Sequence, residues 1–117
     1  MKRTISLKKT KDFQRVLNKG KWFGGTLISV YLLPNHSEKN LVGVAVGKKA
    51  GKATKRNRIK RVIRAVYDEL AQKIKNGHNI LFVWRSQANF ADLKFEVIQK
   101  DMKRAFRKAG LFDENHE

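Results

Sequence analysis

Apolar positions recur along this chain with two periods, near 3.6 and near 2, and the switches between them mark out its elements. Over residues 10–19, Phe13, Val16 and Leu17 stand at i, i+3 and i+4, one apolar stripe of a short helix. Thr10 is placed to cap its start and Gly20 to end it. Residues 26–33 alternate instead. Ile28, Val30 and Leu32 point one way and Ser29 and Tyr31 the other, as strand side chains do. Pro34-Asn35-His36-Ser37 reads as a turn. Residues 41–46 form the next strand, with Val42, Val44 and Val46 on one face and Gly43 and Ala45 leaving the other nearly bare. Ile80–Trp84 follows Asn76-Gly77 as a third clear strand, and a short fourth strand is expected around Lys21–Phe23. Ile59, Val62, Ile63, Val66, Leu70 and Ile74 keep the helical period over residues 54–75. Phe95, Ile98, Met102, Ala105, Phe106 and Ala109 keep it over 92–109, where Gly110 stops the helix. The pattern predicts a single α+β domain in the order α-β-β-β-α-β-α, a four-stranded mixed sheet packed with three helices. Its ordered core is expected over about residues 5–112, with a short polar tail after it.

Composition narrows the class. With 117 residues the chain has room for one domain, and 41% hydrophobic residues can fill a modest core. There is no cysteine, so disulfides and thiolate metal sites are excluded. Met1-Lys2-Arg3-Thr4-Ile5 is basic but no apolar run follows, so no signal peptide is read there. No stretch approaches the ~20 apolar residues that span a bilayer. The expected location is the cytoplasm.

Charge changes the picture most. Lys and Arg number 27 against 10 Asp and Glu, a formal net charge of +17. Solubility alone asks for a net charge of only about 2–8, and self-repulsion of this size disfavours the compact state. A polyanion would relieve it, nucleic acid first and an anionic membrane surface second.

The cations are not spread evenly. Lys48, Lys49, Lys52, Lys55, Arg56, Arg58, Lys60, Arg61 and Arg64 put nine of the 27 into seventeen residues with no acid among them. If Thr54 caps the long helix, Lys52, Lys55, Arg56 and Arg58 crowd its N-terminus. The helix dipole favours Asp and Glu there, so a local rule is broken, and such violations mark functional sites. Free N–H groups beside cationic side chains at a helix start suit a phosphate, and the planar fork of arginine can grip two of its oxygens. Asn57, Lys60, Arg61 and Arg64 fall on the face away from Ile59, Val62, Val66 and Leu70. A merely solvated helix face usually mixes signs for i,i+4 pairing, and this one does not.

Lys48-Lys49, Gly51, Ala53, Arg56-Asn57-Arg58, Lys60-Arg61 and Arg64 resemble the RNR signature of the bacterial ribonuclease P protein family. Asp12-Phe13 with Leu17 and Gly20 resembles that family's first helix. Val42-Gly43-Val44-Ala45-Val46 is similar to the strand before its signature, Tyr31 to an aromatic on its sheet, and Arg85 to the arginine closing its last strand. The sequence departs from the family pattern at Gly47, usually Ser, at Ala65, at Asn79, often Asp, and at Leu17, usually aromatic.

The resemblance implies a left-handed βαβ crossover through the RNR helix, where most crossovers are right-handed. It implies a ribonuclease P subunit whose RNA partner, the catalytic RNA in a 1:1 complex, carries out Mg2+-dependent removal of the precursor tRNA 5′ leader. The RNR helix, with Lys48, Lys49, Lys52, Lys55, Arg56, Asn57, Arg58, Lys60, Arg61 and Arg64, would contact the RNA subunit. Phe13, Leu17, Ser29, Tyr31, Gly43, Ala45 and Arg85 would form a cleft for the leader, in which Ser29, Gly43 and Ala45 leave room for a strand. No catalytic side chain, metal ligand or bound cofactor is expected in the chain itself, and Mg2+ is expected of the holoenzyme. His36 and His78 read as turn residues and His116 as tail. Asp68-Glu69 reads as a solvated pair. The alternative is a generic single-stranded-RNA or ribosome-associated protein, which shares the charge but does not require the RNR segment beside an aromatic-bearing sheet. A DNA-binding module, a membrane-surface protein and a protein-only nuclease fit less well. The long helix is loaded for phosphate, the strands give the sequence a sheet, and clustered carboxylates are absent.

Overall fold

In the computed structural model, which describes residues 4–7 and 9–113, the chain runs β1 (Thr4–Ser6), α1 (Thr10–Lys19), β2 (Lys21–Gly24), β3 (Ile28–Pro34), β4 (Asn40–Ala45), α2 (Ala53–Leu70), β5 (His78–Trp84) and α3 (Phe95–Lys108). Single turns of 3-10 helix sit at Lys48–Ala50, Ala71–Lys73 and Phe90–Asp92. The α+β class, the mixed sheet, the three helices and all the expected strands are present. The addition is β1, three residues pairing parallel with β4, too short for its alternation to be read. The sheet order is β1-β4-β5-β3-β2. β3 pairs antiparallel with β2 and β5, while β4 and β5 run parallel and are joined through α2.

The element ends differ from the pattern where local chemistry is decided at a distance. Neither Thr10 nor Thr54 caps a helix; Lys9 and Lys52 hold those positions, with no side-chain cap. α2 tightens into a 3-10 turn after Leu70, and Ile74 is extended, bridging to Phe112. Its burial at 4% exposure, not continued helix, accounts for its place in the apolar period. α3 begins at Phe95, because Phe90–Asp92 winds as 3-10 helix with Asn89 Oδ1 accepting from Ala91 N–H. Thr26 and Leu27 belong to the β2–β3 connection instead of β3. His78 opens β5, opposite Pro34, and so is not a turn residue.

Strand alternation gives the sheet two unequal faces. On one, Ile28, Val30, Leu32, Val44, Ile80, Phe82 and Trp84 pack against Ile59, Ile63, Val66, Tyr67 and Leu70 of α2 and Ile98, Met102, Ala105 and Phe106 of α3. Phe82 sits between Tyr67 and Phe106, ring centroids 5.8 and 6.3 Å away, both tilted. Truncating a ring in such a core costs roughly 3–5 kcal/mol. On the other face only α1 covers the sheet, through Val16, over Leu81 and Leu7. Phe13, Tyr31, Leu33, Leu41, Ala45 and Val83 are there only half covered. A ten-residue helix cannot roof five strands, so part of this face stays open.

Two buried polar side chains tie the ends of the strands. Asn40 Oδ1 accepts from His78 N–H at 3.0 Å and its Nδ2 donates to Lys75 O at 3.3 Å, pinning the chain that enters β5 to the start of β4. Asp101, 3% exposed in the apolar face of α3, accepts from the N–H groups of Thr26, Leu27 and Ile28 at 2.8, 2.7 and 3.1 Å. It holds the β2–β3 connection against α3.

Candidate nucleic-acid interface

The approach to α2 is built from a 3-10 turn, a glycine and a lysine. Gly51, between the Lys48–Ala50 turn and the helix, has φ +130°, a conformation that costs other residues strain. The turn redirects the chain so that Lys52 stands at the N-cap and its carbonyl receives Arg56 N–H at 3.0 Å. The first N–H groups of a helix have no partners inside it. Here the capping residue offers them no side-chain acceptor, and the first turn holds no acid. Lys48, Lys49, Lys52 and Lys55 are exposed around this end.

Further along, Asn57, Lys60, Arg61, Arg64, Ala65 and Asp68 line one shallow open groove. Four of these are the residues the helical period placed on the outer face. Asp68 is the one carboxylate on it, while its neighbour Glu69 accepts from Gln99 Nε2 at 3.4 Å. At 100° per residue, Arg56 and Arg58 flank this groove on opposite sides of Asn57. Arg58 is exposed. Arg56 is half-buried, and its Nε is covered without a hydrogen-bond partner among the described residues. The Lys55 ammonium lies 5.2 Å from the centre of the Phe90 ring, a cation–π contact that holds it beside the helix start. All ten residues expected at the RNA-subunit surface thus lie on or immediately before α2.

The second set comes together on the open face of the sheet, with two corrections, at Ser29 and at Gly43. Register places Gly24, Ser29, Val83 and Ala45 in one row across β2, β3, β5 and β4. Trp22, Tyr31, Leu81 and Gly43 form the next row. Ala45 keeps the first row low and half-exposed, but Ser29, though small, is buried at 7% exposure and offers the cleft little surface. Gly43 does not leave room for a strand. A methyl group there would stand 2.8 Å from Phe13 Cζ and 3.2 Å from Leu7 Cβ, so the ring of Phe13 is seated on the bare backbone. Leu17 is 39% exposed beside it. Arg85 closes the row's outer end, its Nη1 donating to Gly25 O at 2.8 Å and its N–H to Leu27 O at 2.9 Å.

Two participants were missed in the sequence. Asp101 sits at an apolar period position, where a carboxylate reads as an interruption. Its acceptors' role depends on a loop 73–75 residues away in the chain. Trp22, 54% exposed, was legible only as part of a short strand, and its face follows from pairing with Tyr31. Among the described residues no group of three or more His, Asp or Glu stands close enough to hold a metal ion. No helix of the described residues is long and apolar enough to cross a membrane.

A family model described as Ribonuclease P matches residues 1–110. The ribonuclease P protein component of Clostridioides difficile is 37% identical over 110 residues, covering 93% of this chain and 95% of that protein. That of Bacillus pumilus is 37% identical over 116 residues, covering 97% and 95%. The structure of the Staphylococcus aureus RNase P protein matches with a TM-score of 0.78 at 29% identity, over 92% of this chain and 97% of that one. The Thermotoga maritima RNase P protein, 24% identical, shares the fold with a TM-score of 0.78.

Proposed function

This chain belongs to the ribonuclease P protein family, and from that premise we propose how its two surfaces divide the work of the endoribonuclease it is part of. The RNA subunit is held by α2 and the turn before it: Lys48, Lys49, Lys52, Lys55, Arg56, Asn57, Arg58, Lys60, Arg61 and Arg64. The 5′ leader of precursor tRNA lies on the open face of the sheet, against Phe13, Leu17, Tyr31 and Arg85, over the low row that Ser29 and Ala45 belong to.

The observation that carries this reading is the start of α2, where an uncapped helix end without acids is ringed by lysines. Uncapped N–H groups and cationic side chains aimed at one place stabilise the free protein poorly and a bound phosphate well. Single-strand binding on the opposite side of the sheet fits a half-covered face with aromatic side chains and a basic rim.

Hydrolysis of the phosphodiester is assigned to the RNA subunit, for which Mg2+ supplies the metal chemistry. The chain's own residues bind and orient. The cations of α2 offset phosphate repulsion where the RNA folds against the protein. The cleft holds the leader in line, so that the scissile bond reaches the RNA's catalytic centre with less entropy to lose. One protein per RNA satisfies this arrangement.

Precursor tRNA cleavage by a bacterial ribonuclease P RNA at low Mg2+, with and without this protein, tests it. The protein is expected to restore cleavage, and Arg58→Ala and Arg56→Ala to blunt the effect by about tenfold or more, as the loss of a charge-assisted phosphate contact implies. Binding to both RNAs without restored cleavage would reduce the chain to a generic RNA-binding protein.

A further inference from the structure

Trp22 is the largest side chain that the fold leaves uncovered, at 54% exposure. Single exposed apolar residues are ordinary, so exposure by itself carries nothing. Its surroundings carry more. Trp22 lies directly opposite Tyr31 in the β2–β3 ladder, so both project from the open face. Directly opposed residues of an antiparallel pair are near neighbours. Its ring leans along its own strand over Gly24. A methyl group at 24 would stand 2.7 Å from both Cη2 and Cζ2 of the indole and 3.2 Å from Arg85 Nη1. The indole and the guanidinium therefore meet over the same bare backbone. That backbone is itself fixed, because Asp101 holds the N–H groups of Thr26, Leu27 and Ile28, and Gly25 O holds Arg85. Among the described residues Nη1 is the one side-chain donor of Arg85 with a hydrogen-bond partner, and the half-buried guanidinium has further N–H groups to offer a phosphate.

We infer that Trp22 and Arg85 form a further nucleotide position on this face, the indole stacking one base of single-stranded RNA and the guanidinium gripping its phosphate. The inference rests on the reading of this face as the leader cleft and extends it outward. From β4 to β2 the row runs Phe13 seated on Gly43, then Leu81, Tyr31 and Trp22. Three interstrand steps of about 4.8 Å make that path ~14 Å long. A strand crossing it meets aromatic rings at both ends. Trp22 adds the outermost one, on the edge strand, where no other element covers it. Stacking tolerates any base, because each has a π face, so the position sets how much leader is held and not which sequence. Leu17, where the family pattern usually has an aromatic, offers no ring at the inner end. Trp22 supplies stacking area at the other.

The occupant is single-stranded RNA and not an apolar protein segment, because the indole is paired with a guanidinium and the chain carries +17 overall. A peptide partner for such a patch would have to be acidic, and the test separates the two.

Holoenzyme assembled from the full chain and a ribonuclease P RNA is titrated with precursor tRNAs whose leaders are lengthened one nucleotide at a time. Wild-type affinity is expected to climb with leader length to a plateau. Trp22→Ala should reach its plateau at a shorter leader and lose about tenfold in affinity for longer ones, ~1.4 kcal/mol, while matching wild type on the shortest. Trp22→Phe should keep most of the gain. Gly24→Ala, which displaces the ring without removing it, should behave as Trp22→Ala does. Indole fluorescence should be quenched by the longer leaders only, with buried Trp84 as a constant background. A wild-type profile flat in leader length would overturn the leader-cleft reading and this inference together. A leader-dependent wild type whose curve Trp22→Ala reproduces would overturn the Trp22 position alone, as would fluorescence that answers to an acidic peptide and not to leader RNA.

Discussion

Asp101 ties α3 to the start of β3 and the connection before it through a single buried carboxylate. Its carboxylate accepts the backbone N–H groups of Thr26 and Leu27 in the β2–β3 connection and of Ile28 at the start of β3, the last two in buried bonds. Asp101→Ala strands those donors, each at ~1–3 kcal/mol. Thermal denaturation should show a loss of at least about 3 kcal/mol, a fall of roughly 10 °C or more in Tm. His78 sets a pH dependence. Burial pushes its imidazole below the ordinary 6.5, the Asn76 backbone pulls it up less strongly, and the Lys75 ammonium pushes it down further. The folded state thus binds fewer protons than the unfolded chain as pH falls below 6.5. Stability then declines with falling pH until the folded-state pKa is passed, and is unaffected above that window. Melting curves from about pH 8 to about pH 5 should show the decline, and His78→Gln should flatten it. An equal slope in the variant would assign the decline to other groups.

At the scale of the element, α2 is a helix whose beginning is wrong for stability and right for a polyanion. Its apolar face, through Ile59, Ile63, Val66, Tyr67 and Leu70, anchors it with no help from the cap. Lys52→Asp should therefore correct the N-cap and complement the dipole, raising the stability of the free protein by ~0.5–2 kcal/mol. The same change should weaken binding to the ribonuclease P RNA. Calorimetry on the protein alone and filter binding with the RNA read the two effects separately. A variant that gained stability and kept its affinity would place the phosphate contacts elsewhere on the helix. β2 shows the reverse economy. It is a short edge strand, yet it carries Trp22 and Gly24, which the sheet does not need for packing and the open face uses.

The whole molecule separates its tasks by the two faces of one sheet. Large aliphatic and aromatic side chains on one face seal α2 and α3 down, and the outer side of α2 carries the cations. The other face is half roofed by α1 and leaves Tyr31, Ala45 and Val83 partly exposed. A net charge of +17 repels itself until a polyanion is bound. Affinity for RNA should fall steeply with salt, with a log–log slope of about −0.7 per neutralised phosphate in single strands and −0.9 in duplex. Lys60→Ala and Arg61→Ala should each reduce the slope toward RNA-subunit binding by roughly one. Slopes unchanged from wild type would remove the α2 groove from the interface.

Hydrophobic periodicity by itself determined the helices, the long strands and most of the residues that face the core, because burial imposes the same period wherever an element packs; Leu17, 39% exposed, and Asp101, buried at 3%, are exceptions. Charge and the run from Lys48 to Arg64 narrowed the partner to a polyanion, since nine like charges on one segment need no fold to be counted. Tertiary structure decided what depends on residues distant in the chain. β1 forms only because β4 offers it an edge, and Thr54 loses the cap to Lys52 because Gly51 fixes how the chain enters α2. Gly43, bare in the sequence, is covered once α1 lays Phe13 upon it. Asp101 and Trp22 acquire their roles from partners that strand pairing and helix packing bring to them: a loop with unpaired N–H groups for one, and the open row beside Tyr31 and Arg85 for the other.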